Sequence, residues 1–299
     1  MNMNSHAKPR YKLPKNIIIA ACLAVLTLSI LYTIFPTQPE EAFNVPLGIG
    51  VTNPENINFL NSVLREYDVI AVRPHLLNVL DQARTGRKAL IFGVKDYNNA
   101  STLINKAVEK GAFVIGYNLE GPLTMEEMIR QEATIYNMVK ERGLTFMSGP
   151  TVKNLEKYYR EFASYTDIII VQSQRYQTEE NYKEKVNGIV SKIRSANPDV
   201  KVWAQVSVNP PGNPYITADE VVSNIREIID IVDGVWIYYH QSRWNIAKEV
   251  IRKLRTADKP AWNIQAINVQ ASQGLSQGEA LNRQLPQPDS EVLPRQVTI

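Results

Sequence analysis

Residues 114–123, VIGYNLEGPL, place an acid at the point where an apolar strand ends. Side chains alternate along a strand, so Asn118 and Glu120 point to the same side, which we expect to be the interior of the fold. An acid half-buried there among aromatic rings should have its neutral form favoured, because burial penalises the charged form. Such a group can protonate a leaving oxygen, which makes Glu120 a candidate general acid. The structural alternative is an ion pair with Arg73 or Lys95.

The strand that carries these two residues is one of eight short apolar runs rich in Val, Ile and Phe. The runs begin near Leu47, Asp68, Ala89, Ala112, Leu144, Asp167, Val200 and Asp233. Amphipathic stretches of helical period follow them at 54–66, 75–84, 98–110, 123–142, 151–164, 178–196, 217–231 and 243–256. Strands alternating with helices predict an α/β fold with a parallel sheet, and eight such units close most economically into a (β/α)8 TIM barrel over 47–257. The alternative is an open, doubly wound sheet, although no G-x-G-x-x-G motif follows the first strand.

Polar residues at the strand ends should converge on one mouth, because the loops that follow the strands of a TIM barrel gather at one end. Asp96 is a candidate second catalytic acid, although its segment, KDYNN, is also typical of a helix N-cap. The candidate ligand-binding residues are Arg73, Tyr97, Gln172, Gln174, Tyr176, Gln205, Asn209, Tyr238 and His240. Neutral hydrogen-bonding groups beside aromatic rings suit a polyhydroxylated ring, so we expect a glycan ligand. Solvated strand ends would produce a similar set by chance.

The Asn-x-Glu motif at the end of the fourth strand resembles that of the endo-β-N-acetylglucosaminidases, and it is similar to the Asp-x-Glu that ends the chitinase motif. The resemblance implies that Glu120 is the general acid and that Asn118 orients the substrate's own 2-acetamido oxygen, which serves as the nucleophile. The stretches YNLEG, VQSQRYQ and WAQVSVNPPG also resemble an uncharacterised family of sugar-hydrolase-like barrels from prokaryotic surface and secreted proteins. This second resemblance implies a location at the cell surface, and it says less about which reaction the protein catalyses.

The end of the seventh strand weakens the case for an ordinary pair of catalytic carboxylates. It carries Gln205, Ser207 and Asn209, where many retaining barrel hydrolases have an acid. A barrel without a complete catalytic set would be a glycan-binding or envelope-organising module. A third alternative, an aldolase-type lyase, would need a lysine at a strand end, and Lys95 is the candidate.

Charge and composition exclude other classes of function. The chain has 33 Lys and Arg against 30 Asp and Glu, with no dense basic stripe beyond its first fifteen residues, so a nucleic-acid partner is excluded. Cys22 is the only cysteine, which excludes an internal disulfide and a thiolate zinc site. The histidines are His6, His75 and His240, too scattered to indicate a metal cluster. We therefore expect no metal and no organic cofactor.

Residues 17–35 contain neither a charge nor a proline. At about 1.5 Å per residue they reach about 28 Å, enough to cross a hydrocarbon core of roughly 30 Å. The basic segment 1–16 precedes them, and Glu40 and Glu41 follow, so the positive-inside rule predicts a single-pass membrane anchor with the N-terminus in the cytoplasm and the barrel outside the cell. The alternatives are a cleaved signal peptide and a lipoprotein signal at Cys22.

Two segments flank the predicted barrel. Residues 36–46 contain three prolines and two glutamates, which predicts a short extended spacer. Residues 258–299 begin with a stretch, KPAWNIQAINVQ, that can pack as one more extended segment, and continue as a tail rich in Gln, Pro and Ser. We expect this tail to be disordered, because it has too few apolar residues to form a core.

Overall fold

The computed structural model describes residues 43–256, and the parallel strands in this range close into one barrel in sequence order. The strands are β1 (Leu47–Gly50), β2 (Val69–Val72), β3 (Arg87–Gly93), β4 (Val114–Leu119), β5 (Thr145–Pro150), β6 (Ile168–Val171), β7 (Lys201–Ser207) and β8 (Gly234–Tyr238). The barrel closes where β1 pairs with β8, with Leu47 opposite Val235. The prediction of a TIM barrel is confirmed, as are its eight strands.

Helices cover the outside of these strands. The α-helices are Asn56–Val63, Ala100–Glu109, Met125–Lys140, Val152–Ser164, Tyr182–Ala196, Ala218–Ile228 and Trp244–Thr256. Shorter 3-10 turns lie at Val94–Asn99, Ser173–Arg175 and Gln241–Arg243. The apolar faces of the α-helices pack on the strands and bury the outer face of the sheet, as the alternation of strands and helices in the sequence predicts.

The connection between β2 and β3 differs from the predicted α-helix over 75–84. It is a 3-10 helix, Pro74–Gln82, which begins at a proline and is kinked at Leu76. The buried residues Leu77 and Leu80 are three positions apart, and Ala83 is buried three positions further on. A spacing of three matches the 3.0 residues per turn of a 3-10 helix, which explains why this segment winds more tightly than expected.

A small second core fills part of the inside of the barrel. It consists of Val69, Ala71, Ala89, Val114, Met147, Ile170, Trp203 and Trp236. Glycines make room for the two indole rings, because a Cβ atom would lie 2.2 Å from Trp236 at Gly48 and 2.3 Å from Trp203 at Gly234. The two rings therefore occupy space that these glycines leave free.

A buried ion pair joins the first strands to the last helix. Asp68 accepts hydrogen bonds from the backbone N–H groups of Leu47 and Arg65, each at 2.8 Å. The guanidinium of Arg255 binds both carboxylate oxygens of Asp68 and also donates to the carbonyl of Phe43 at 2.9 Å. Both side chains are almost completely buried, so this pair links the first strands to the last helix out of contact with water.

Two predicted segments lie outside the described residues. These are the membrane span at 17–35 and the C-terminal segment and tail at 258–299. Between residues 43 and 256, no helix has the length and apolar character needed to cross a membrane.

Candidate functional site

A cavity of about 290 Å³ opens at the C-terminal ends of the strands, and we call it the central cavity. Its lining includes Trp236 and the small residues Gly50, Ala71, Gly116 and Gly149. Seven of the predicted site residues line it, namely Arg73, Asn118, Glu120, Gln172, Gln174, Gln205 and Tyr238. The barrel thus brings together strand ends that are far apart in the sequence, as the fold requires.

Glu120 lies one residue beyond the end of β4, at the rim of the central cavity. Its carboxylate oxygen Oε1 accepts a hydrogen bond of 2.5 Å from Nε2 of Gln172, which follows β6. The side chain is exposed, so the expectation that it is half-buried among aromatic rings is wrong. The strand stops at Leu119, and the next position already belongs to the open mouth. Within the described range, the partner of Glu120 is this neutral amide rather than Arg73 or Lys95.

Asn118 is half-buried in the wall of the central cavity, and a glycine lies beside it on each neighbouring strand. Gly93 of β3 is opposite Asn118 on one side, and Gly149 of β5 is opposite it on the other. A Cβ atom at Gly149 would lie 3.5 Å from the Oδ1 atom of Asn118. Since neither neighbour has a side chain, the amide of Asn118 is open to a ligand from both sides.

A second, larger hollow of about 680 Å³ lies beside the central cavity, and we call it the side recess. It shares Arg73, Asn118 and Glu120 with the central cavity. Its other polar side chains are His75, Lys95 and Asp96. The three shared residues place the two hollows side by side, at the ends of β2 and β4.

Asp96 faces the side recess, but one of its oxygens is already engaged. Oδ2 accepts a hydrogen bond of 3.2 Å from the backbone N–H of Gly93, at the start of the 3-10 turn Val94–Asn99. The capping role that its segment also predicted is therefore present. The structure brings Asp96 and Glu120 to the same recess, and a catalytic role for Asp96 stays a prediction.

The remaining wall of the central cavity carries amides and an aromatic ring. Gln205 is half-buried, and Tyr238 is 51% exposed at the rim. The side-chain oxygen Oε1 of Gln174 is buried and has no hydrogen-bond partner among residues 43–256. A buried acceptor without a partner costs about 1–3 kcal/mol, so the wall offers an unsatisfied acceptor beside the space for a ligand.

Four predicted binding residues line neither hollow, and a binding role for them stays a prediction. Tyr97 and Tyr176 turn outward and pack against the core between strands and helices, because each lies in a turn after its strand and not on the strand itself. Asn209 and His240 are exposed beyond the ends of their strands. His240 caps the next turn, where its Nδ1 accepts from the backbone N–H of Ser242 at 3.4 Å.

The outward position of Tyr176 is supported by its hydrogen bond. Its hydroxyl donates to Oε1 of Glu156 at 3.0 Å. Burial, together with this hydrogen bond and the negative charge of Glu156, raises the pKa of Tyr176 to about 12. The ring therefore belongs to the helical layer and stays neutral at physiological pH.

The sequence interpretation missed the residues that create the empty space. Gly50, Ala71 and Gly149 line the cavity at inward positions of three strands, and a Cβ atom at Gly50 would meet no other atom within 4 Å. The signal was present in the strand sequences as small residues at every second position next to a polar strand end. This signal could be interpreted only once it was known which alternate residues of each strand point into the barrel.

Among residues 43–256, no group of three or more His, Cys, Asp or Glu side chains is arranged to hold a metal ion.

Comparisons with known proteins support the fold alone. No family model matches the sequence, and a search of curated proteins finds no match. A solved tryptophan synthase from M. tuberculosis is 9% identical with a TM-score of 0.50, over 72% of this chain and 91% of that chain. A β-1,3-glucanosyltransferase from Rhizomucor miehei is 9% identical with a TM-score of 0.48, over 64% and 86%. An N-acetylneuraminate lyase from Fusobacterium nucleatum is 13% identical with a TM-score of 0.45, over 78% and 82%. At 9% identity, the likeness to the tryptophan synthase supports the fold and carries no information on the reaction.

Proposed function

We propose that this protein is a glycoside-hydrolase-like barrel that acts on a cell-surface glycan, with Glu120 as the general acid. The observation that carries the proposal is the pair Asn118 and Glu120 in a cavity whose lining includes four amide side chains and four aromatic residues. Amides can donate to and accept from sugar hydroxyls, and an aromatic ring can stack on a sugar face.

The proposed chemistry uses one enzymic acid and a nucleophile that belongs to the substrate, an N-acetylated sugar. The 2-acetamido oxygen would form a bond to the anomeric carbon while the glycosidic C–O bond breaks, and Glu120 would give its proton to the departing oxygen. In the second step water would attack the anomeric carbon and give a proton to the Glu120 carboxylate, while the bond between that carbon and the acetamido oxygen breaks and the acetamido group is restored. Asn118 would hold the acetamido group in line for the first step.

Gln172 supports this assignment by its contact with Glu120. Its amide donates to Oε1, which holds the carboxyl group in one orientation at the rim. In the free protein, Glu120 is exposed to water. A sugar bound over the mouth would displace that water, so the substrate itself would supply the low-polarity environment around the acid. Gln172 would then act as a positioning residue for the acid.

The test is hydrolysis of aryl glycosides and N-acetylated oligosaccharides by the full-length protein. A positioned general acid contributes about 10²- to 10⁴-fold to a rate, so Glu120→Gln should lower turnover by that factor. Glu126→Gln is the matched control, because Glu126 is exposed on the helix that follows and lines neither hollow. Turnover that survives Glu120→Gln unchanged would overturn the assignment.

A non-catalytic glycan-binding module is the second candidate, and one observation favours it. The end of β7 contributes Gln205 to the central cavity and no acid, so the cleft lacks a carboxylate at the position where a retaining pair would have its second member. Glycan binding to the unmodified protein without turnover of any linkage would favour this module over the hydrolase.

We also propose that residues 17–35 anchor the barrel to the cytoplasmic membrane by a single pass, with the barrel outside the cell. The support is the uncharged stretch itself and the basic segment 1–16 that precedes it. Fusions of alkaline phosphatase and of a cytoplasmic fluorescent protein after residue 256 test this topology. Phosphatase activity without fluorescence is expected, and the reverse result would contradict it.

A further inference from the structure

The side recess differs from the central cavity in its charge. Arg73, His75 and Lys95 all line it and all have exposed side chains. The central cavity, in contrast, is lined mainly by amides, aromatic rings and apolar groups. The two hollows share Arg73 and Glu120, so a ligand long enough to fill both would have a neutral part and a part that meets cations.

The charged groups of the side recess are not equivalent in their hydrogen bonding. Its two acids already have donors, since Asp96 accepts from the N–H of Gly93 and Glu120 accepts from the amide of Gln172. Within the described part of the chain, Arg73 and Lys95 form no ion pair with either acid, although the acids line the same recess. The positive charges of Arg73 and Lys95 are therefore not neutralised by an ion pair with either acid of this recess.

The chemistry of these cations selects an anionic partner. A guanidinium presents parallel N–H donors that match a carboxylate or a phosphate, and an ammonium adds a mobile positive charge. His75 can add a third donor. Three such groups on the consecutive strand ends β2 and β3 suit one anionic substituent, while the adjacent cavity suits the sugar ring that carries it.

We infer that the side recess binds the anionic group of an acidic glycan, whose neutral sugar ring occupies the central cavity. This inference rests on the proposed function and narrows its substrate class. The anionic group is a carboxylate or a phosphate attached to the sugar. It lies against Arg73 and Lys95.

The experiment compares three matched oligosaccharides that bind to the full-length protein in calorimetry. One is neutral and N-acetylated, one carries a uronate, and one carries a phosphate. Both acidic ligands are expected to bind roughly ten-fold more tightly than the neutral one, which corresponds to about 1.4 kcal/mol. The preference should shrink at high salt, because screening weakens the attraction between exposed charges. A preference for one acidic ligand alone identifies the anion as carboxylate or phosphate.

Charge removal provides the second arm of the test. Lys95→Gln, at a residue that lines the side recess and not the central cavity, should reduce the roughly ten-fold preference to about two-fold or less while leaving the affinity for the neutral oligosaccharide within about two-fold. Lys106→Gln is the control, because Lys106 is exposed on the helix Ala100–Glu109 and lines neither hollow. If Lys106→Gln also lost the preference for acidic ligands, the net charge of the protein and not the side recess would attract the ligand.

Failure of this inference is distinguishable from failure of the proposed function. Equal binding of neutral and acidic oligosaccharides would overturn the inference and leave a glycan-binding cleft in place. Binding of none of the three would overturn both. If free uronate or phosphate bound as tightly as the acidic oligosaccharides, the assignment of the central cavity to the neutral sugar ring would be overturned.

Discussion

Glu132 offers a strong test of the packing described for the outer layer. It lies on the helix Met125–Lys140 and is fully buried, and its two carboxyl oxygens lack hydrogen-bond partners of good geometry among residues 43–256. Burial raises the pKa of Glu132 well above its usual range, while the nearby Ser148 hydroxyl opposes the shift. We expect the carboxyl group to be neutral in the folded protein under conditions where it is charged in the unfolded chain.

The sign of the pH dependence follows from proton binding. Above the ordinary pKa of a glutamate, about 4.3, the unfolded chain loses this proton and the folded protein keeps it. The folded state then binds more protons than the unfolded state, so the free energy of unfolding falls as the pH rises. The loss is about 1.4 kcal/mol for each pH unit until the folded carboxyl group also ionises. Against a typical total of about 5–15 kcal/mol, this is a large effect.

The substitution Glu132→Gln keeps the shape of the side chain and removes its proton equilibrium. Urea unfolding at a series of pH values from 4 to 7 measures the free energy of unfolding of the unmodified protein and the variant. We expect the variant to gain about 1.4 kcal/mol relative to the unmodified protein for each pH unit above about 4.3. Glu141→Gln is the control, since the side chain of Glu141 is 75% exposed. Parallel curves for the unmodified protein and Glu132→Gln would refute the inferred burial.

Further predictions concern the ion pair, the positioning residue and the glycines of the barrel. Arg255→Ala should lower the free energy of unfolding by about 3–5 kcal/mol in urea titrations, because it leaves a buried carboxylate uncompensated; a loss below about 1 kcal/mol would contradict the burial of the pair. Gln172→Ala should reduce kcat while leaving the melting temperature nearly unchanged, whereas a lowered melting temperature with unaltered kcat would indicate a purely structural role. Gly48→Ala should destabilise the barrel by about 1–3 kcal/mol, because the new methyl group would lie 2.2 Å from an indole ring. Gly50→Ala is its control, with no atom within 4 Å of the added carbon, and equal melting temperatures for the two glycine variants would contradict the packing.

The architecture could be predicted because its signals are local. The apolar runs and the amphipathic stretches between them alternate along the chain, and each depends on neighbours within a few residues. The place of Glu120 at the end of the fourth strand follows from the same pattern. Where the local signal was ambiguous, the prediction was less accurate. At 75–84, apolar residues three positions apart form a 3-10 helix in place of the expected α-helix.

The sequence by itself determined the βα order, the eight strands and the identity of the residues at their ends. The tertiary structure alone decided which of those residues share a cavity. Glu120 meets Gln172 across 52 positions of sequence, and glycines on two neighbouring strands flank Asn118. These contacts depend on the register between strands and on the closure of the barrel, which are set by long-range packing. The turn after each strand has no such periodic signal, which is why Tyr97 and Tyr176 point outward against expectation.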